Sequence, residues 1–442
     1  MKRFLALFLV VLFAATAQAQ WQFVKVFPDT SLKMAGGINS GLGVDPEGKV
    51  WVQSYSGSID SVLTSDGVTY KKVGQIRVYN PDGSEALFSP IKTVTTGGIT
   101  DSLGIGYGGV MDPDGNFLSV KPSTTLIRIN YKTGEGMDRV VNPIPGYTSS
   151  IASVAVAKGT GEIFLANVLP GPAGAILNPD FTPAGLFADT LKDYGRTLLV
   201  SDDGNDVYVP RFGLKKTIHF HSDNGSLGPY NDETSLNPPD TILTGLAVET
   251  MAWDPKGGGM WVGSGNIVSG LPDSTSGLRG YAWYLYNLTS KTFTDSILWA
   301  GDISAEYDPR PRGIAFSPTG DTVYVGAFTV KNFHFVEMFK RGPAGVQRDP
   351  NSVATNYTLS QNYPNPFNPS TLIKFSLMNT STISLKVYDI LGKEIATLAS
   401  GAHSAGVYTV NFDASNLSAG VYYYSLRTSD GFVETKKMML LK

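Results

Sequence analysis

The chain has 442 residues, 42% hydrophobic and only 17% charged, with 49 Gly, 26 Pro, no Cys and a formal net charge of −3. That length accommodates two or three domains, or one large repeat domain with an appendage. A near-neutral balance without a basic run excludes a nucleic-acid or anionic-membrane binder, and the absence of cysteine excludes disulfides, thiolate metal sites and cysteine nucleophiles. Few charges among many Gly, Pro and aromatic residues predict short strands and tight turns.

The first segment, residues 1–19, has the form of a secretory signal. Lys2 and Arg3 begin it, Phe4 to Ala15 is an unbroken apolar run, and Ala17-Gln18-Ala19 offers small residues for cleavage between Ala19 and Gln20. The run is shorter than the ~20 residues a spanning helix needs, and no other long apolar run follows. The mature chain is therefore expected to have no transmembrane segment.

Six segments then share one form, a short apolar strand, a Gly-bearing turn and a second apolar strand. They are GLGVDPEGKVWV, GGVMDPDGNFLSV, SVAVAKGTGEIFLA, TLLVSDDGNDVYV, MAWDPKGGGMWVG and GIAFSPTGDTVYVGA. Their turn glycines are read as Gly48, Gly115, Gly161, Gly204, Gly258 and Gly320, at intervals of 43 to 67 residues. Asp-Pro presets turn entry, and Gly supplies the positive φ that closes it. A third strand follows each hairpin (QIRVYN, TLIRIN, GAILN, TIHFH, YAWYLYN and FHFVEMFKR), and most units add a weaker fourth. Four antiparallel strands repeating at this period predict a β-propeller of about six blades over residues 20–340. The sixth unit lacks a fourth strand, whereas Gln22 to Phe27 alternates in the strand period. Residues 21–27 are thus expected to close the last blade and remove an open sheet edge.

These hairpins, RGIAFSPTGDTVYVGAF and GLGVDPEGKVWV above all, resemble blades of the NHL-repeat, regucalcin/gluconolactonase-like and YVTN-like propellers. In the regucalcin-like lactonases a Glu entering the first blade, with an Asn and an Asp from later blades, holds a metal. Here the first blade begins Asn39-Ser40-Gly41-Leu42, and Glu249 precedes the innermost strand of the fifth blade instead.

Loops at the mouth of such a scaffold carry function. The residues expected to ring it are Tyr55, Tyr107, Asn167, Tyr194, Arg196, Arg211, Glu249, Asn266, Arg310 and Arg312. Aromatics with several Arg suit an anionic or sugar ligand. Equally, the arginines pair with Glu249, Glu306 or Asp308 and plug the tunnel. His219-Phe220-His221 sets two imidazoles on one strand face, but Arg77 and Arg128 hold the same offset in other units. The pair is therefore read as ordinary polar positions, His334 as packing and His403 as structural. Asp112 to Asn116 and Asp202 to Asp206 resemble fragments of a calcium loop, yet neither continues to a distal Glu. No cofactor is expected, calcium being the one ion with partial motifs. No Gly-x-Ser-x-Gly elbow sits on a strand-to-helix turn. The reading favours a non-catalytic binding module for an extracellular ligand; the alternative is a metal-dependent lactonase or lyase with its site at the mouth.

Residues 341–356 are Gly/Pro/polar and read as a linker. From 357 to 442, strands recur every 8–12 residues, predicting a small immunoglobulin-like β-sandwich. Its landmarks are Tyr363-Pro364-Asn365-Pro366-Phe367-Asn368-Pro369, Tyr388-Asp389, Gly392, Gly401, Gly420-Val421-Tyr422 and Lys437. In this order the segment resembles the type A C-terminal sorting domain of the type IX secretion system. The resemblance implies export across both membranes, a partner in the translocation and sorting machinery, and an extracellular or cell-surface destination.

Overall fold

The computed structural model describes residues 21–441 apart from 29–32, 35–37, 55–59, 64–66, 104–107, 122–123, 144–150, 168–172, 192–194, 232–238, 266–277, 302–308, 329–332, 335, 342–345, 350–353, 404 and 415–416. The signal segment and its cleavage site, Ala19–Gln20, lie outside the described residues. So do Tyr55, Tyr107, Tyr194, Asn266, Glu306 and Asp308.

The described structure is all-β, its one helical element being the single 3-10 turn Gly225–Leu227. Two compact units emerge, one of Phe23–Lys340 and one holding Arg341–Lys442.

In the first unit the strands form successive antiparallel meanders. The first sheet comprises Ile38–Val44, Val50–Ser54 and Ile76–Tyr79; the second Gly108–Met111, Phe117–Lys121, Thr125–Ile129 and Gly136–Val141. A parallel contact of Gly41 with Gly109 joins them into one seven-stranded curled sheet. The third is Ile151–Val156, Ile163–Asn167, Gly174–Leu177 and Pro183–Ala188; the fourth Leu199–Val200, Asp206–Arg211, Lys216–His221 and Asp240–Ile242. The fifth is Val248–Trp253, Met260–Ser264, Ala282–Asn287 and Thr292–Leu298. The sixth is Arg310–Phe316, Thr322–Phe328 and Val336–Arg341, with Trp21–Val26 at its edge. Two further hairpins, Asp60–Leu63 with Tyr70–Val73 and Thr93–Thr96 with Ile99–Ser102, fill the long interval after the first turn.

Burial explains why the middle strands read as continuous apolar runs. Ile163–Asn167 and Gly174–Leu177 are buried at every position, because each face of their sheet packs on a neighbouring sheet. The outer strand Gly136–Val141 has no fully buried position, each residue being half-buried or exposed. Apolar clusters accordingly lie between sheets. Trp51 stacks on Phe117 at 5.3 Å between the first and second sheets. Phe187 meets Phe164 and Phe220 between the third and fourth. Between the sixth and first, Phe27 is buried with its ring 4.8 Å from Tyr324 and 5.9 Å from Tyr79. The first strands are also neighbours in series, and Arg310–Phe316 packs in turn against Ile38–Val44.

The hairpin turns behave as the motif requires. Gly48, Gly115, Gly161, Gly204 and Gly320 all have positive φ. In the fifth turn Gly257 takes this position rather than Gly258, with φ 79° and its N–H donating to the Asp254 carbonyl. Asp254-Pro255-Lys256-Gly257 is the homologue of Asp45-Pro46-Glu47-Gly48, so the extra glycines follow the turn. Asp45 and Asp254 also reach forward. Each accepts backbone N–H bonds within its turn and the indole N–H of the next strand's tryptophan, Trp51 at 3.0 Å and Trp261 at 3.2 Å.

The second unit is a sandwich of two four-stranded sheets. One orders Val346–Asp349, Gly406–Asp413, Ser370–Leu377 and Thr358–Leu359; the other Glu394–His403, Ser381–Tyr388, Gly420–Thr428 and Val433–Leu440. Val346–Asp349 lies in the expected linker but pairs with Gly406–Asp413, Val346 opposite Val410. Its partner is some 60 residues away, which local composition does not reveal. The core between the sheets is built on Phe375, Leu385, Val387, Tyr424 and Met438.

Two outcomes follow. Phe27→Ala should destabilise the first unit by about 3–5 kcal/mol, the usual cost of deleting a buried aromatic, read by chemical denaturation. Burial of His403 holds its imidazole below the ordinary range, despite the Gly401 carbonyl at 3.1 Å. The unfolded chain then binds the proton more readily, so the sandwich should lose stability as pH falls below about 6.5. Melting of His403→Gln should lack that acidic decline.

Candidate functional site

A cavity of about 1160 Å³ lies among the first strands and the turns that end them. Its wall is mainly apolar and small-residue, with Leu42, Val110, Ala155, Leu199, Met251 and Ile314, and its turn end carries Asp45, Asp112, Asp202, Asp203, Asp254 and Lys158. The strands approach closely there: a side chain at Gly109 would collide with the Phe117 ring at 2.3 Å. Four of the turn carboxylates, Asp45, Asp112, Asp203 and Asp254, are already engaged. Asp112 faces the Arg128 guanidinium at 3.0 Å and caps the Asn116 N–H at 2.8 Å, while burial pushes its carboxyl above the usual range. Asp203 accepts from the Ser201 hydroxyl at 2.5 Å and from the Asn205 N–H at 3.1 Å. These bonds explain the calcium-loop likeness as turn chemistry.

None of the expected mouth residues that the structure describes lines this cavity. The six that the structure describes, Asn167, Arg196, Arg211, Glu249, Arg310 and Arg312, belong to the other ends of the strands, about 16 Å away along a five-residue step. The structure brings three of them together. Glu249 is fully buried at the start of its strand; Arg312 Nε lies 2.5 Å from its Oε2 and Arg196 Nη1 lies 3.6 Å away. Arg312 also lies over the Phe328 ring at 5.4 Å, and Arg196 over Phe212 at 4.7 Å. Gly265 is required beside this carboxylate, since a Cβ there would fall 1.9 Å from Glu249 Oε1. Asn167 is buried at the end of its strand, Arg211 is buried at the end of the next sheet's second strand, and Arg310 is half-buried opposite Phe328.

A second polar cluster lies on the fourth sheet. His219 Nε2 and His221 Nδ1 both lie 2.7 Å from Asp206 Oδ1, and His221 Nε2 lies 3.2 Å from Asp223. The imidazoles hold the Asp206 carboxyl below the usual range, His219 contributing most. Sequence reasoning found the histidine pair but missed Asp206. The signal is cross-strand: Asp206 sits opposite His221, and Tyr208 opposite His219.

In the sandwich, the Tyr363–Pro369 landmarks hold the fold together. Asn365 accepts the Met439 N–H at 2.9 Å, Phe367 is buried and exchanges backbone bonds with Met439 and Leu441, and Pro364 O accepts from Thr371 and Asn362. Asn362 N–H donates to the Tyr424 hydroxyl, which donates to Ser360 O, both at 2.8 Å. Asp389 Oδ1 caps the Leu391 and Lys393 N–H groups, with Gly392 at φ 80° completing the turn. Tyr388 pairs with Tyr423, Gly420 with Leu440 and Lys437 with Tyr423, while the Tyr422 hydroxyl donates to Ser418 O. Tyr363 alone of the aromatic landmarks is largely exposed, at 79%.

Residues 361–441 match the family described as the secretion system C-terminal sorting domain. This part of the chain is a sorting domain of the type IX system, which indicates export to the cell surface or extracellular space and interaction with that system's machinery. Among the described residues no helix is long and apolar enough to cross a membrane. No curated protein matches the sequence. Among solved structures, the chain is similar to the extracellular domain of the putative one-component system BT4673 from B. thetaiotaomicron (12% identity, TM-score 0.40). That likeness covers 95% of this chain and 59% of that one. It is also similar to a chain of the Mitotic Checkpoint Complex (11% identity, TM-score 0.42), covering 77% of this chain and 98% of that one.

Tyr424→Phe leaves the Asn362 N–H and the Ser360 carbonyl without their shared partner. Such a loss costs about 1–3 kcal/mol, and the sandwich should melt correspondingly earlier by circular dichroism.

Proposed function

We propose that residues 20–340 form a closed six-bladed propeller, sealed by residues 21–27, that is carried outside the cell as a non-catalytic binding module. Support for closure comes from the serial packing of the six first strands and from the cluster around Phe27 shared by the first and sixth sheets. The sorting domain supports an extracellular setting.

The observation that carries the non-catalytic reading is the state of Glu249. A carboxylate meant for a metal faces that cation, and a guanidinium held beside it repels one. Glu249 is instead buried against Arg312 at 2.5 Å, with Arg196 beside it. This arrangement neutralises the one acidic mouth residue that the structure describes, and it braces the fifth sheet against the sixth. Ligand recognition then falls to the propeller mouth and the central cavity, whose apolar wall and polar turn end suit an amphipathic extracellular ligand.

The alternative, a metal-dependent lactonase, is separable by experiment. Glu249→Gln leaves buried Arg312 uncompensated, a defect that costs about 3–5 kcal/mol. The binding reading expects this loss of stability in the full chain and no metal-dependent lactone hydrolysis by the unaltered protein. Turnover that needs calcium or zinc, and that vanishes in Glu249→Gln under conditions where the variant is folded, would overturn it.

A further inference from the structure

We propose that Asp206, His219 and His221 form a binding site for a divalent ion of the zinc class. One nitrogen from each ring and one carboxylate oxygen all lie within 4.8 Å of one another. Strand geometry puts them there. His219 and His221, two residues apart, share a face of Lys216–His221, and Asp206 stands directly across from His221 on Asp206–Arg211.

Simple pairing does not require this arrangement. In the first and second sheets the corresponding position holds a single arginine, Arg77 on Glu85 and Arg128 on Asp112 and Asp138. Here two imidazoles are aimed at the same oxygen, Asp206 Oδ1, each at 2.7 Å. Deprotonated, both nitrogens offer lone pairs beside that oxygen, and a cation seated among the three donor atoms would draw on all of them. A tetrahedral zinc with ligands at about 2.0–2.1 Å sets its donors ~3.3 Å apart, so the contacts need widen by only a fraction of an ångström. The His219 ring is already held in place, stacked on Tyr208 at 4.5 Å with the planes 9° apart. Asp223, exposed in the following turn, lies 3.2 Å from the other ring nitrogen of His221, Nε2, where a carboxylate orients the ring of a metal-binding histidine. Two imidazoles and a carboxylate favour zinc, nickel or copper over calcium or magnesium, which take oxygen ligands.

The site lies on a different sheet from Glu249, and it stands whether or not the mouth binds a ligand. The test is metal analysis of the full chain after loading with zinc chloride and dialysis, together with the visible spectrum of the cobalt-loaded protein. One ion per chain and an intense tetrahedral cobalt spectrum are expected. His221→Ala, at a surface position, and Asp206→Asn should each weaken zinc binding by more than about 10-fold. Circular dichroism of the metal-free variants establishes that they are folded. Failure to retain zinc, or equal retention by the unaltered chain and folded His221→Ala, would overturn the assignment.

Discussion

A sheet of four short strands has two apolar faces and can bury neither alone. Everything in residues 23–340 depends on that constraint. Trp51 needs Phe117 from the next sheet, Phe187 needs Phe220, and Phe27 needs both Tyr79 and Tyr324. Stability is therefore a property of neighbouring sheets taken together, as in other repeat architectures. The same constraint explains the low charge content. Middle strands have no solvent face on which to carry charge, so polar side chains retreat to turns and outer strands.

Within that frame the turn aspartates act as ties. Asp45 and Asp254 cap their own turns and hold the indole of a tryptophan on the following strand, linking local chain reversal to burial of the largest side chain in the sheet. Such a carboxylate satisfies several buried donors at once, which is why an Asp beside a turn glycine carries more structural weight than its position on a loop suggests.

Much of the fold was legible because its signals are local. Asp-Pro followed by Gly announces a turn, and alternating or continuous apolar runs announce strands; the all-β character and the sorting domain follow from them. What escaped depends on partners remote in sequence. That mouth arginines pair with Glu249 was expected, but which of them reaches it depends on a neighbouring sheet, and Arg312 does at 2.5 Å. Asp206 looks like part of a turn until the register places it opposite His221. Val346–Asp349 has no apolar period of its own and becomes a strand only through Gly406–Asp413. The extra glycines after Asp254 obscured which one closes the turn, a matter that φ decides and composition does not.

The segment from Asn362 to Phe367 takes its shape from atoms made at the far end of the domain, the Met439 amide and carbonyl and the Leu441 amide among them. Synthesis runs from one end to the other, so this segment leaves the ribosome early and waits. Its bonds to Thr371, Leu372 and Tyr424 form from earlier strands, but those to Met439 and Leu441 need the final one. Any chain broken off before Met439 keeps the letters of the motif but lacks these bonds, so the completed motif registers that translation has run to the end of the sandwich.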